Sequence, residues 1–176
     1  GYYIPLAHSY PDVISQLAQD YVLEELRPYL TAVETVIVGQ NIKYDYQVLL
    51  QHGLALGGHW FDTMLLSYVS DSSAGRHNLT ALAARYLDYD MLSFEDVAGR
   101  GKDQVTFDKI ELAKACQYAA EDADISLRLY NYFWPLMQAN GLADVYLKFE
   151  QPLIKILADM ELAGVLLDTG ILEEQG

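Results

Sequence analysis

The chain has 176 residues, 52% of them hydrophobic, enough to bury a core, so that disorder is not the default reading. A net charge of −14 argues against a free-standing nucleic-acid binder, whose surface is usually basic. The single cysteine, Cys116, rules out an internal disulfide, and no run approaches the ~18 apolar residues of a membrane span.

Gly1-Tyr2-Tyr3-Ile4-Pro5 opens without an initiator Met, and a helix begins just before Gly176, so a fragment of a longer protein is expected. Tyr2 to Ala7 reads as a strand, with Pro5 suited to an edge. Leu17, Val22, Leu23, Leu26 and Leu30 give helical spacing from Ser15 to Tyr29. Val36-Ile37-Val38 before Gly39 suits a buried strand. Asn41 then opens a helix to Gln51, with Gly53 placed for a left-handed C-cap.

Asp62, after Trp60-Phe61, is placed to cap a helix from Thr63 to Ser70. A loop at Ser72 to Arg76 leads to Asn78, which caps Leu79 to Leu87. Ser93-Phe94-Glu95-Asp96 starts a brief helix ending at Gly99, and Gly99 to Lys102 is a basic loop. Asp108 to Met137 is strongly helical and stops at Asn140-Gly141. Leu142 to Leu162 predicts another helix, bent at Pro152, and Gly164 to Asp168 a strand. The order is α/β with a small sheet.

Two constellations can carry chemistry. Asn41 and Asp45 are four residues apart and share a helical face near the sheet edge; the alternative is a cap and a surface acid. Tyr118 and Asp122 are likewise four apart, separated by small alanines that let substrate approach. A carboxylate with a phenol one turn away suits a water held by a hard divalent cation; the alternative is a packed Tyr and solvated acids. His8, His52, His59 and His77 have no zinc-like spacing with Cys116, and neither a phosphate loop nor a nucleophile elbow is present.

In order and separation the two constellations resemble the second and third motifs of the DnaQ-like 3′→5′ exonucleases. Val38-Gly39-Gln40-Asn41-Ile42-Lys43-Tyr44-Asp45, Phe61-Asp62-Thr63-Met64, Ala74-Gly75-Arg76-His77, the segment from Ser93 to Lys102, and Tyr118 to Asp124 look like the proofreading domain of the bacterial DNA polymerase I family. Met160 to Asp168 resembles that family's entry into its polymerase domain. The resemblance implies a ribonuclease H-like mixed sheet flanked by helices, missing its first strand or strands. It implies an exonuclease domain at 1–140, and a C-terminal helix and strand at 141–176 leading into the polymerase domain.

It further implies hydrolysis of the last phosphodiester at a single-stranded 3′ end of DNA by two Mg²⁺ or Mn²⁺ ions. Asp45, Tyr118 and Asp122 would be catalytic, with Asp45 and Asp122 as metal ligands. Gln40, Asn41, Tyr44, Arg76 and Phe94 would contact DNA. A cytoplasmic, nucleoid-associated parent without membrane attachment is expected. The family's first motif, an Asp-x-Glu on the first strand, would lie upstream of Tyr2 with no replacement in the chain, so the isolated fragment is expected to be inactive. A degenerate domain serving only as a polymerase platform, and a ribonuclease D-like RNA exonuclease, are the alternatives.

Overall fold

The computed structural model describes residues 1–175. Its centre is one βαβ unit: β1 (Val36–Gly39), helix α2 (Ile42–Gln51), and β2 (His59–Asp62), with β1 and β2 parallel. The helix before it is α1 (Gln19–Leu30). Ile37 lies opposite Trp60, and Val38 opposite Phe61. Since successive strand side chains point to opposite faces, each pair commits one face of the sheet to a different core.

One core holds Phe61 with Leu66, Leu82, Ile125, Leu129 and Phe133. These come from α3 (Thr63–Ser70), α4 (Leu79–Leu87) and the 28-residue α6 (Leu112–Ala139). The other core joins Trp60 to Ile42 and Tyr46 of α2 and to Ile154 and Ala158 of α8 (Gln151–Ala163). Helices thus cover both faces of a small parallel sheet. A short α5 (Phe94–Ala98) contributes Ala98 to a third cluster with Ile110 and Ala115. The short α7 (Ala143–Val145) precedes α8, and α9 (Thr169–Gln175) closes the described chain. No described helix is long and apolar enough to cross a membrane.

Three caps form as the sequence implies. Asp62 accepts from the Met64 N–H, Asn78 accepts from Ala81, and Ser93 with Asp96 closes a reciprocal capping box. Gly53 has the left-handed φ of 72° expected of it. The expected strand at Tyr2 to Ala7 does not form among the described residues. That segment pairs with no strand; His8 instead anchors it, its Nδ1 bonded to the Ile110 carbonyl oxygen at 3.0 Å.

Gly164 to Asp168 is likewise unpaired, with Val165 87% exposed, so the apolar run that suggested a strand has nothing to bury against. Helix α1 begins at Gln19 rather than Ser15, and α6 at Leu112 rather than Asp108, because Phe107–Lys109 forms a separate tight 3₁₀ turn. Trp60-Phe61 belongs to β2, a strand the sequence did not announce. The disturbance expected at Pro152 is a wide π turn at Tyr146–Glu150, directly before α8. Proline lacks the N–H that would close the normal turn, and the widened turn absorbs that loss.

Candidate active site

β1 and β2 end side by side, Gly39 opposite Asp62, and the N-termini of α2 and α3 start there. In parallel α/β sheets this carboxyl edge is where ligands bind. Asn41 makes the sharp turn from strand to helix in the left-handed region, at φ 58° and ψ 47°, a conformation Asn tolerates better than most residues. Its side chain makes no capping bond, contrary to expectation. The cap comes from across the sheet. Asp62 accepts the N–H groups of Asn41 and Ile42, each at 3.0 Å, besides that of Met64 at 2.9 Å. One buried carboxylate therefore holds the starts of both helices, a role that only tertiary structure reveals.

The Asp62 N–H is in turn accepted by the Tyr146 hydroxyl, which donates to the Trp60 carbonyl. Burial pushes the Asp62 carboxyl upward, and the backbone N–H bonds oppose that shift.

Asp45 follows in the first turn of α2 and faces a cleft of about 560 Å³, which Tyr118 and Asp122 of α6 also line. Gln40 and Phe94 complete the expected residues that reach it. Phe94 stands edge-on to Tyr118, with ring centroids 6.1 Å apart. Gly39 keeps the floor open: a Cβ there would lie 3.6 Å from the Asp45 carboxylate and 3.3 Å from Ile42. Gln40 already uses both ends of its amide, donating to the His77 carbonyl at 2.9 Å and accepting from Thr63 Oγ1 at 2.5 Å.

The structure does not bring every expected residue to the cleft. Asn41 borders a separate groove beside α8. Tyr44 is 63% exposed on the outer side of α2, and Arg76 is exposed in the loop before α4; neither lines the cleft. Arg76 has no ion-pair partner among the described residues.

Water reaches Asp45, yet it sits in a concave floor flanked by protein. That desolvation, with Asp62 nearby, pushes its carboxyl up to about 6. Asp122 is also raised to about 6, by desolvation chiefly; the Tyr118 phenol works against the shift and the Glu121 charge adds to it. Tyr118 is pushed up to about 12 by desolvation and by Asp122, so it stays protonated at neutral pH.

Both carboxyl values lie above the unfolded value of about 4, so the folded state holds extra protons between those limits. Stability is therefore lost as pH rises from about 4 through 6, and above 6 the cleft carries two costly negative charges. Neither carboxylate has a cationic side-chain partner among the described residues.

Such a donor set fits a hard divalent cation, which takes oxygen ligands and leaves positions for water and phosphate. No three His, Cys, Asp or Glu side chains cluster tightly enough among the described residues to hold a metal alone. The chain does contain one Asp-x-Glu, Asp159-Met160-Glu161, contrary to the expectation of no replacement motif. It lies on α8, where Glu161 is engaged by Lys43 and Gln47 and does not line the cleft.

Residues 1–138 match the family model described as 3′-5′ exonuclease, that of A-type DNA polymerases. The chain belongs to this family. It is 46% identical to DNA polymerase I of Pseudomonas aeruginosa over 173 residues, covering 97% of this chain and 19% of that protein. Identity to DNA polymerase I of Rhizobium leguminosarum is 38% over 178 residues, covering 97% of the chain and 17% of the relative. For the DNA polymerase of Escherichia phage T5 it is 30%, over 93% of the chain and 20% of the relative. This exonuclease-family chain thus spans about a fifth of the length of the relatives it matches.

Glu121 lies within the Tyr118 to Asp124 segment, where nothing local in the sequence assigns it a role. Its carboxylate accepts the Tyr89 hydroxyl and the Leu92 N–H, each at 2.8 Å.

Proposed function

We propose that the chain is the proofreading part of a DNA polymerase I, and that its cleft removes the last nucleotide from a single-stranded 3′ end of DNA. The observation that carries this reading is that two carboxylates without a cationic partner, Asp45 and Asp122, line one cleft together with an aromatic pair, Phe94 and Tyr118. No Lys or Arg lines that cleft, so a phosphate backbone needs cations to approach it. Two Mg²⁺ or Mn²⁺ ions, held in part by Asp45 and Asp122, would supply charge neutralisation and Lewis acidity at the scissile phosphate.

The chain's own residues do the rest. Tyr118, protonated and beside Asp122, orients the attacking water. Phe94 packs against the terminal bases, and such stacking is sequence-tolerant, as an editor of any mismatch requires. Gln40 borders the terminal nucleotide, while Asn41, Tyr44 and Arg76, outside the cleft lining, contact the strand leading in.

The ribonuclease H-like sheet of the family would complete the two-stranded core seen here with further strands. We assign 1–140 to the exonuclease unit and 141–176 to the junction with a polymerase domain. Tyr146, Ile154 and Ala158 tie that junction to the exonuclease core. Beyond them Met160 is 62%, Val165 87% and Leu166 101% exposed, an apolar surface that the polymerase part of the same polypeptide would cover. The reading places the parent in the bacterial cytoplasm at the nucleoid.

The test is excision of a 3′-labelled single strand in Mg²⁺ by the full polypeptide carrying this chain. Deprotonated Asp45 and Asp122 hold a cation better, so the rate should climb as pH rises through about 6 and vanish on chelation. A rate indifferent to chelator, or falling through that range, would refute the reading.

A further inference from the structure

We propose that Glu121 is a positioning residue: it bolts residues 89–94 to α6 and so sets the base-facing wall of the cleft. This deepens the proofreading reading and rests on it. Leu92, Ser93 and Phe94 form that wall, yet residues 88–93 belong to no helix or strand. Such a connection holds its place only through the contacts it makes.

The chain leaves α4 through Asp88 at a left-handed φ of 49°, and Met91 drops into the core at 7% exposed. Between these points and α5, Glu121 supplies the polar attachment to α6. One carboxylate oxygen takes the Tyr89 hydroxyl and the other the Leu92 N–H. The Arg128 guanidinium lies over the Tyr89 ring, 5.3 Å from its centroid.

Tyr118, Glu121 and Asp122 stand three and four residues apart on α6 and so share one side of that helix. The helix that presents Tyr118 and Asp122 therefore also fixes the wall beside them. Phe94 reaches its edge-on position against Tyr118 from a backbone that Glu121 anchors one turn along α6. Without the bolt the wall can swing away from the bases, while Asp45, Tyr118 and Asp122 keep their places. Substrate capture should suffer and the chemical step should not.

The experiment is steady-state excision of a 3′-labelled oligothymidylate in Mg²⁺ by the full polypeptide. Glu121→Ala should raise KM about tenfold and lower kcat less than about threefold, as loss of two hydrogen bonds to a charged acceptor and of base stacking would. Glu121→Gln, which can still accept one of the two bonds, should recover about half of that loss. Tyr89→Phe should raise KM about threefold alone and add nothing in the Glu121→Ala background, because the two act as one unit. An unchanged KM in Glu121→Ala, or additive effects with Tyr89→Phe, would overturn the bolt. Asp122→Ala serves as the separate arm: excision surviving that change would overturn the proofreading reading instead.

Discussion

Asp122→Ala, made in the full polypeptide that carries this chain, is expected to cut 3′ excision about 10³-fold, the effect of losing several kcal/mol of charge stabilisation at the scissile phosphate. Nucleotide addition should remain within about twofold of the parent, since the cleft sits on the exonuclease fold rather than on the surface expected to face a polymerase domain. The loss should not come from unfolding. Desolvation raises the Asp122 carboxyl to about 6, so in metal-free protein at neutral pH its charge opposes folding, and its removal should leave stability unchanged or higher. Paired excision, extension and thermal-melting measurements separate these outcomes. Undiminished excision would remove Asp122 from the site, and a collapse of both activities would point to a structural part instead.

Asp62→Ala should do the reverse, damaging the fold first. It would leave the N–H groups of Asn41, Ile42 and Met64 without their acceptor at the joint of two helices. At about 1–3 kcal/mol for each donor so stranded, and allowing for relaxation, a loss of about 3–5 kcal/mol is expected. In a chain of this size that lowers the melting midpoint by about 10 °C. Asp62→Asn, which keeps one carbonyl oxygen but turns an NH₂ toward the donors, should fall between. Because α2 hangs from this carboxylate, excision should fall as well, through displacement of Asp45. Chemical denaturation of the variants checks the order; an Asp62→Ala protein as stable as its parent would show that Asp62 is not the shared cap.

The sequence displayed what local physics decides. Capping chemistry at Asp62, Asn78 and Ser93 was legible because a cap is read a few residues along the chain. The four-residue spacing of Tyr118 and Asp122 put both on one face of α6, and both line the cleft. Less was legible where the partner is distant in sequence. Asn41 reads locally as a cap, yet the cap is Asp62, 21 positions away. Glu121 looks like one more acid in an acidic chain until Tyr89 and Leu92 are brought to it.

The two mistaken strands share one cause. A short apolar run fits a strand or an unpaired segment equally well, and only a neighbouring ladder decides. Tyr2 to Ala7 and Gly164 to Asp168 have none among the described residues. The resemblance names Tyr44 and Arg76, but a motif does not say which way a side chain leaves its helix or loop.

The most direct test is a crystal of the full polypeptide soaked with Mn²⁺ and a short single strand, with the metal located by anomalous scattering. Manganese should lie in the cleft bonded to the Asp122 carboxylate, with Asp45 near it and the 3′-terminal base against Phe94. A 3′ end bound elsewhere, or a cleft empty of metal while the strand is bound, would contradict the account.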